Sequence, residues 1–175
     1  MLGLIVPRLA MDELNKILLR LYAQSREVPL DQFHEEALKL LKTALPFDSA
    51  IWGTESFTPR GLSYHSVHLH NEPDDLAVQY QEVKEEDDAV FQLWSDGPST
   101  TRRFHAPALF RGKAKSGIRA YVARVLHHNY IVACERNPDT DWAQWIALYR
   151  GRPEDEYSEQ EQHLLSGVLH PALEL

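Results

Sequence analysis

Apolar residues recur at helical spacing over positions 11–45 and at strand spacing in the stretch that follows. From Met11 to about Gln24, Leu14, Ile17, Leu18 and Leu21 fall at i, i+3, i+4 and i+7, which predicts an amphipathic helix with one apolar face. Pro29 and Asp31 open a second helix running to Leu45, with Phe33, Ala37, Leu40, Leu41 and Leu45 on its inner side. Pro46 ends it, because a proline ring disfavours helical geometry in the residue before it.

Ser49 to Phe57 and Leu62 to about His70 read as two strands, joined at Pro59-Arg60-Gly61 into an antiparallel hairpin. Asn71-Glu72-Pro73-Asp74 closes the hairpin and starts a helix to about Lys84, on which Leu76, Tyr80 and Val83 share a face. A short helix over Asp88–Trp94 follows, then an irregular segment from Ser95 to Pro107 rich in Ser, Thr, Pro and Gly. Ser116 begins another helical pattern through His128, with Ile118, Tyr121, Val122, Val125 and Leu126 apolar.

A second hairpin pairs Tyr130–Arg136 with Trp142–Arg150 across the turn at Asn137-Pro138-Asp139-Thr140. In its second strand Trp145, Ala147 and Tyr149 face one way, and Ile146 and Leu148 the other. Both faces are apolar, so this strand is central and covered on both sides. Ser158-Glu159-Gln160-Glu161 forms a capping box that launches a last helix, with Leu164, Leu165, Val168 and Leu169 on one stripe. Two helices, a hairpin, two or three helices, a hairpin and a terminal helix imply an α+β fold. Its form is a three-layer α/β/α sandwich around a central antiparallel sheet, the GAF/PAS-like plan. Residues 1–10 read as a loosely ordered leader and 11–175 as one domain.

A length of 175 residues suits one domain with a substantial core. No apolar run approaches the roughly 18–20 residues that cross a bilayer, and the N-terminus is too short and too poor in positive charge for a secretory signal. Cys134 is the only cysteine, which allows no internal disulfide and favours a reducing, cytoplasmic setting. Charge is uneven. Between Gly97 and Cys134 there is no Asp or Glu, while Arg102, Arg103, Arg111, Lys113, Lys115, Arg119 and Arg124 are basic, leaving 11 basic against 26 acidic residues elsewhere. Such a polyanionic body is repelled by DNA phosphates. The basic stretch reads as a solvated loop and helix face, with an anionic-ligand mouth or a dock for an acidic surface as the sharper alternatives.

Of the nine histidines, His65, His68 and His70 share a strand. Alternation puts His68 and His70 on one face and His65 on the other. Two same-face histidines and no cysteine pair fall short of a structural zinc site, so they read as polar surface or pocket-rim residues and no metal is expected. His127 and His128 close a helix, where imidazolium suits the negative dipole end. There is no Gly-x-Ser-x-Gly elbow, no His-Glu-x-x-His and no phosphate-cradling glycine loop, so no catalytic residues and no cofactor are expected. An aromatic set stands out instead: Trp52, Tyr64, Tyr80, Phe91, Trp94, Trp145 and Tyr149. Such residues either fill a core or line a small-molecule pocket with a few polar handles.

Phe47–Thr54 (FDSAIWGT), Pro73 followed by Tyr80, Asp87, Trp145–Arg150 (WIALYR) and Tyr157–Leu173 (YSEQEQHLLSGVLHPAL) together resemble the N-terminal sensory domain of LuxR-type helix-turn-helix regulators. The resemblance covers nearly the whole chain from about Met11. It implies a small-molecule-sensing, non-enzymatic regulatory domain, homodimeric, that reaches DNA only through a C-terminal helix-turn-helix absent from this chain. Leu169-His170-Pro171-Ala172-Leu173 is similar to the family's segment leading into that domain. In acyl-homoserine-lactone-binding relatives a Trp, a Tyr four residues later and an Asp-Pro pair grip the signal. Here the matching positions are Leu76, Tyr80 and Asp87-Asp88, so the indole donor and the proline are missing, and another small ligand, or none, is as well supported. The resemblance points to a pocket between the sheet and the Pro73–Trp94 and Ser116–His128 helices. Tyr80 and Asp87 would be its polar anchors, and Trp52, Tyr64, Phe91, Trp94 and Trp145 its walls. The alternative is a ligand-free interaction or dimerisation module using the apolar stripes at Leu14, Leu18, Leu165 and Leu169.

Overall fold

The computed structural model describes residues 8–58, 61–87, 100–109, 117–124, 129–137 and 142–173. Helices α1 (Arg8–Glu27) and α2 (Leu30–Ala44) come first, followed by strands β1 (Ser49–Thr58) and β2 (Gly61–His70). Helix α3 (Leu76–Gln81) runs into a 3-10 turn at Lys84–Glu86. Strand β3 (Thr100–His105), a one-turn helix α4 (Ala106–Leu109), α5 (Gly117–Arg124), β4 (Asn129–Asn137), β5 (Trp142–Arg150) and α6 (Glu159–Leu173) complete the described chain. The expected helix over Asp88–Trp94 lies outside the described residues. Helix α1 starts at Arg8, inside the stretch that the pattern assigns to a leader.

All five strands form one antiparallel sheet in the order β2-β1-β5-β4-β3. The hairpins β1–β2 and β4–β5 meet along β1 and β5, so the apolar WAQWIALYR strand is central, as its two-sided pattern requires. Strand β3 is a departure from the irregular segment expected there. Its sequence, TTRRFH, has little apolar content to announce a strand, and it is held by backbone pairing to β4 at the sheet edge.

One sheet face carries the main core. Ile146 and Leu148 of β5, with Ala50 and Trp52 of β1, pack against Ile17 and Leu21 of α1, Phe33, Ala37, Leu38, Leu40 and Leu41 of α2, and Leu165 and Val168 of α6. The described positions of the apolar stripes on the first and last helices pack inside the molecule: Ile17, Leu21, Leu165 and Val168 are buried and Leu18 packs against the cluster. The Leu14 and Leu169 side chains lie outside the described residues. The other face carries a second cluster, in which Ile51, Ala147 and Tyr149 meet Leu76, Phe104, Ala106, Ile118 and Tyr121.

Local ties fix the layers. Ser158 caps α6 as expected: its backbone N–H donates to Glu161 Oε2 (2.7 Å), and the Glu161 N–H donates to Ser158 Oγ (3.2 Å). Arg150, at the end of β5, binds three elements at once. Its Nε donates to the Pro46 carbonyl (2.8 Å), its guanidinium pairs with Glu161 (2.7 Å), and it stacks over the Tyr157 ring at 3.8 Å. Asn71 turns the chain after β2 with a left-handed φ of 55° and donates to the Asp48 carbonyl at 3.0 Å.

Candidate functional site

Four polar-tipped aromatics, Trp145, Tyr64, Tyr80 and Tyr121, meet ring to ring at the second cluster, which also holds Tyr149. Trp145 and Tyr64 meet edge to face with centroids 6.4 Å apart, Tyr64 and Tyr80 at 6.2 Å, and Tyr80 and Tyr121 at 5.8 Å. Sheet strands supply the first two, and helices α3 and α5 the last two. The Tyr80 hydroxyl donates to Asp87 Oδ2 at 2.9 Å, and Asp87 is itself buried. Tyr80 and Asp87, seven residues apart, meet because α3 is short and the 3-10 turn returns the chain to it.

A β-bulge places Tyr64 here. The β1–β2 register shifts between Thr54 and Glu55, so Ser66 pairs with Thr54 but Tyr64 pairs with Glu55, leaving His65 as the extra residue. Tyr64 thereby joins the face of Val67 and Leu69 despite its opposite parity. The same bulge corrects the expectation for His65. Its Nε2 lies 2.9 Å from Ser56 Oγ, a β1 residue with the parity of Trp52, so it turns toward the side of His68 and not away from it.

Burial, followed by the negative charge of Glu55, pushes the Tyr64 phenol up from its ordinary value, and burial followed by Asp87 pushes Tyr80 well above its own. Both phenols stay neutral and keep their protons as donors. Glu55, only 3% exposed, was not singled out in the sequence, nor was Tyr121. The signals existed: Glu55 shares strand parity with Ile51 and Gly53, and Tyr121 shares the inner helix face of Ile118. Trp145 rests directly over Gly53, its partner on β1. A Cβ at position 53 would lie 2.6 Å from Trp145 Cζ2 and 3.0 Å from Nε1, so only glycine leaves room for the ring. The Trp145 indole nitrogen is buried and has no hydrogen-bond partner among the described residues. A donor in that state costs about 1–3 kcal/mol.

Of the seven predicted site residues, the fold brings together Tyr64, Tyr80, Asp87 and Trp145. Trp52 belongs elsewhere. It is 3% exposed on the opposite face, 6.1 Å from the Phe33 ring and 4.8 Å from His34. The reason is register: Gly53, not Trp52, pairs with Trp145, so the two indoles project from opposite sides of the sheet. Phe91 and Trp94 lie outside the described residues.

The histidines also sit on the α2 face. Glu35 of α2 takes His70 Nδ1 at 3.0 Å and His68 Nε2 at 3.3 Å, while His34 stacks on His68 at 5.5 Å. Among the described residues no group of three or more His, Cys, Asp or Glu is arranged to hold a metal ion. Arg102 and Arg103 of the basic stretch line a cavity of about 290 Å³ between β3 and the start of α6. Arg103 is already engaged there, donating to Gln162 Oε1 (2.8 Å) and to the Tyr157 carbonyl (2.6 Å), which makes it a tie between edge strand and helix. No helix among the described residues is long and apolar enough to cross a membrane.

The five-stranded antiparallel sheet with helices on both faces is the fold shared with ligand-binding domains of LuxR-family regulators. Among solved structures, the chain is similar to CepR2 of Burkholderia cenocepacia, described as an N-acylhomoserine-lactone-dependent LuxR-family transcription factor. The TM-score is 0.65 at 13% identity, covering 91% of this chain and 93% of CepR2. It is similar to Escherichia coli SdiA (TM-score 0.65, 12% identity), covering 94% of this chain and 66% of SdiA, which is just under two thirds of that protein. SdiA is also known in complex with octanoyl-rac-glycerol, and that structure matches with a TM-score of 0.62 at 11% identity. No family model matches the sequence, and no curated protein matches it. The likeness is one of fold.

Proposed function

We propose that this chain is the small-molecule-sensing domain of a LuxR-type transcriptional regulator. One observation carries the reading: Tyr64, Tyr80, Asp87 and Trp145 converge on the sheet face opposite the main core, mixing apolar rings with polar tips. Groups of that kind orient small ligands in otherwise apolar sites. Phe91 and Trp94 are assigned to the same wall by the sequence pattern, whereas Trp52 supports the sheet from behind. The ligands named for CepR2 and SdiA, an acyl-homoserine lactone and octanoyl-rac-glycerol, make acylated small molecules the first candidates. Leu76 stands where lactone-binding relatives carry an indole, so that donor is missing here.

The signal passes through β5. Trp145, Ala147 and Tyr149 belong to the ligand face, while the alternating Ile146 and Leu148 pack with Leu165 and Val168 of α6. A ligand that shifts the strand therefore biases α6, which leads toward a DNA-binding domain, by as much as its affinities for the two arrangements differ. The regulator acts in the cytoplasm as a homodimer and catalyses no reaction. Thermal-shift and native mass-spectrometric measurements with 1-octanoyl-rac-glycerol and N-octanoyl-homoserine lactone test the reading. Binding at 100 times Kd stabilises the fold by about 2.7 kcal/mol. An unchanged melting temperature and no retained mass with either compound would sink it.

A second reading, a ligand-free interaction module, is favoured by Leu19 (70% exposed) and Tyr22 (47% exposed), which lie one turn apart on the outer face of α1. It predicts that Leu19→Asp dissociates an oligomer while neither compound moves the melting temperature.

A further inference from the structure

We infer that Trp145 donates its indole N–H to an oxygen acceptor, such as an acyl carbonyl, on the bound ligand. The ligand would then be a small molecule that presents such an oxygen to the edge of the Trp145 ring, on the tyrosine-lined side of the sheet. The inference rests on the sensory reading and names the contact that the ligand makes with the strand.

Buried side-chain donors almost always have partners, so each exception needs a cause. Trp145 Nε1 is such an exception among the described residues, as is the Tyr157 hydroxyl in the main core, and of the two only the indole sits within the group that the sensory reading assigns to the ligand. The Tyr80 hydroxyl already donates to Asp87. Among the described residues the indole N–H has no acceptor, and the residue as a whole is only partly buried. Its position is also fixed. It lies against the bare backbone of Gly53, where any side chain would collide with the ring, and against the edge of Tyr64. A donor held at one point, buried and unsatisfied, is cheaply relieved by a ligand acceptor, since no existing hydrogen bond has to be broken first. A ligand offering only hydrocarbon at that point would leave the orphan in place and bind more weakly.

The test uses 1-octanoyl-rac-glycerol as probe and the indole N–H resonances of 15N-labelled protein as readout. The Trp145→Phe spectrum assigns the Trp145 signal by its disappearance. The expected result is a downfield movement of the Trp145 indole proton on saturation, with affinity for the probe about fivefold to tenfold weaker in Trp145→Phe. Gly53→Ala, which pushes the ring from its seat, weakens the probe similarly. Saturable binding to the wild type with an unmoved Trp145 resonance, or equal affinity in Trp145→Phe, overturns the inference and leaves the sensory reading standing. If Trp145→Phe fails to fold, selective labelling of the wild type decides alone. Failure of the wild type to bind either this probe or N-octanoyl-homoserine lactone overturns both.

Discussion

The two faces of the sheet are built from the same strands and do different work. Toward α1, α2 and α6 the side chains are mostly aliphatic and fully buried, with Leu21, Leu38, Ile146, Leu148, Leu165 and Val168 at or below 1% exposure. Polar groups on that side are in part paired, as His68 and His70 are with Glu35, while the buried Tyr157 hydroxyl and Gln24 Oε1 have no hydrogen-bond partner among the described residues. Toward α3 and α5 the cover is made of short helices, and the side chains are tyrosines, a tryptophan, and the carboxylates of Glu55 and Asp87. The Trp145 indole nitrogen there is likewise without a partner among the described residues. The first face accounts for folding. The second mixes apolar rings with polar tips, the composition of a small-molecule site.

The contrast breaks most sharply at Leu148. Leu148→Ala opens a cavity in the closed face and should cost about 2–5 kcal/mol, read from the urea midpoint. Affinity for a bound probe should change little, because Leu148 points away from Tyr80 and Trp145. Arg150→Met removes the tie among β5, Pro46 and Glu161 and leaves the Glu161 carboxylate with less support. A loss of about 2–3 kcal/mol in the same assay is expected. Tyr80→Phe works in the opposite sense. Loss of one hydrogen bond to Asp87 should cost about 1–2 kcal/mol of stability, with the larger consequence seen as weaker ligand binding by calorimetry.

The smallest effect concerns pH. Burial, followed by the neighbouring His68, holds the His34 imidazole below its ordinary value of 6.5. The unfolded chain therefore takes up that proton before the folded one, and the stability contributed by neutral His34 is lost as pH falls below 6.5. Burial pushes the Glu35 carboxyl up, but hydrogen bonds from His70 and His68 outweigh it and hold it below its ordinary value of 4.5. That contribution is present at neutral pH and is lost only in stronger acid, so the two titrations separate. His34→Phe should flatten the decline in melting temperature between pH 7 and pH 5 and leave the decline below pH 4.5. An unaltered slope between pH 7 and pH 5 would remove His34 from the account.

Periodicity made the closed face legible in advance. The stripe of α1, the inner side of α2, the capping box of α6 and the two-sided β5 are all written as local spacing. What stayed hidden depends on how strands lie beside one another. Trp52 and Trp145 looked like two walls of one pocket because each sits on an aromatic-rich strand, but pairing of Gly53 with Trp145 sends them to opposite faces. The bulge that turns Tyr64 inward adds one residue to β2, and HSVH carries no glycine or proline to mark it. Strand β3 went unseen because its side chains, Arg102 and Arg103 among them, are polar, and the backbone of β4 supplies its order. The Tyr80–Asp87 pairing was reached by resemblance, and their hydrogen bond gives it a physical form.

The central claim is that the tyrosine-lined face, and not the aliphatic one, receives a small molecule. Hydrogen exchange followed by mass spectrometry, with and without saturating 1-octanoyl-rac-glycerol, tests it most directly. Slower exchange in the 76–87 and 117–124 segments, with α2 unchanged, is the predicted result. Unchanged exchange in both segments under conditions where the probe is bound would contradict the claim.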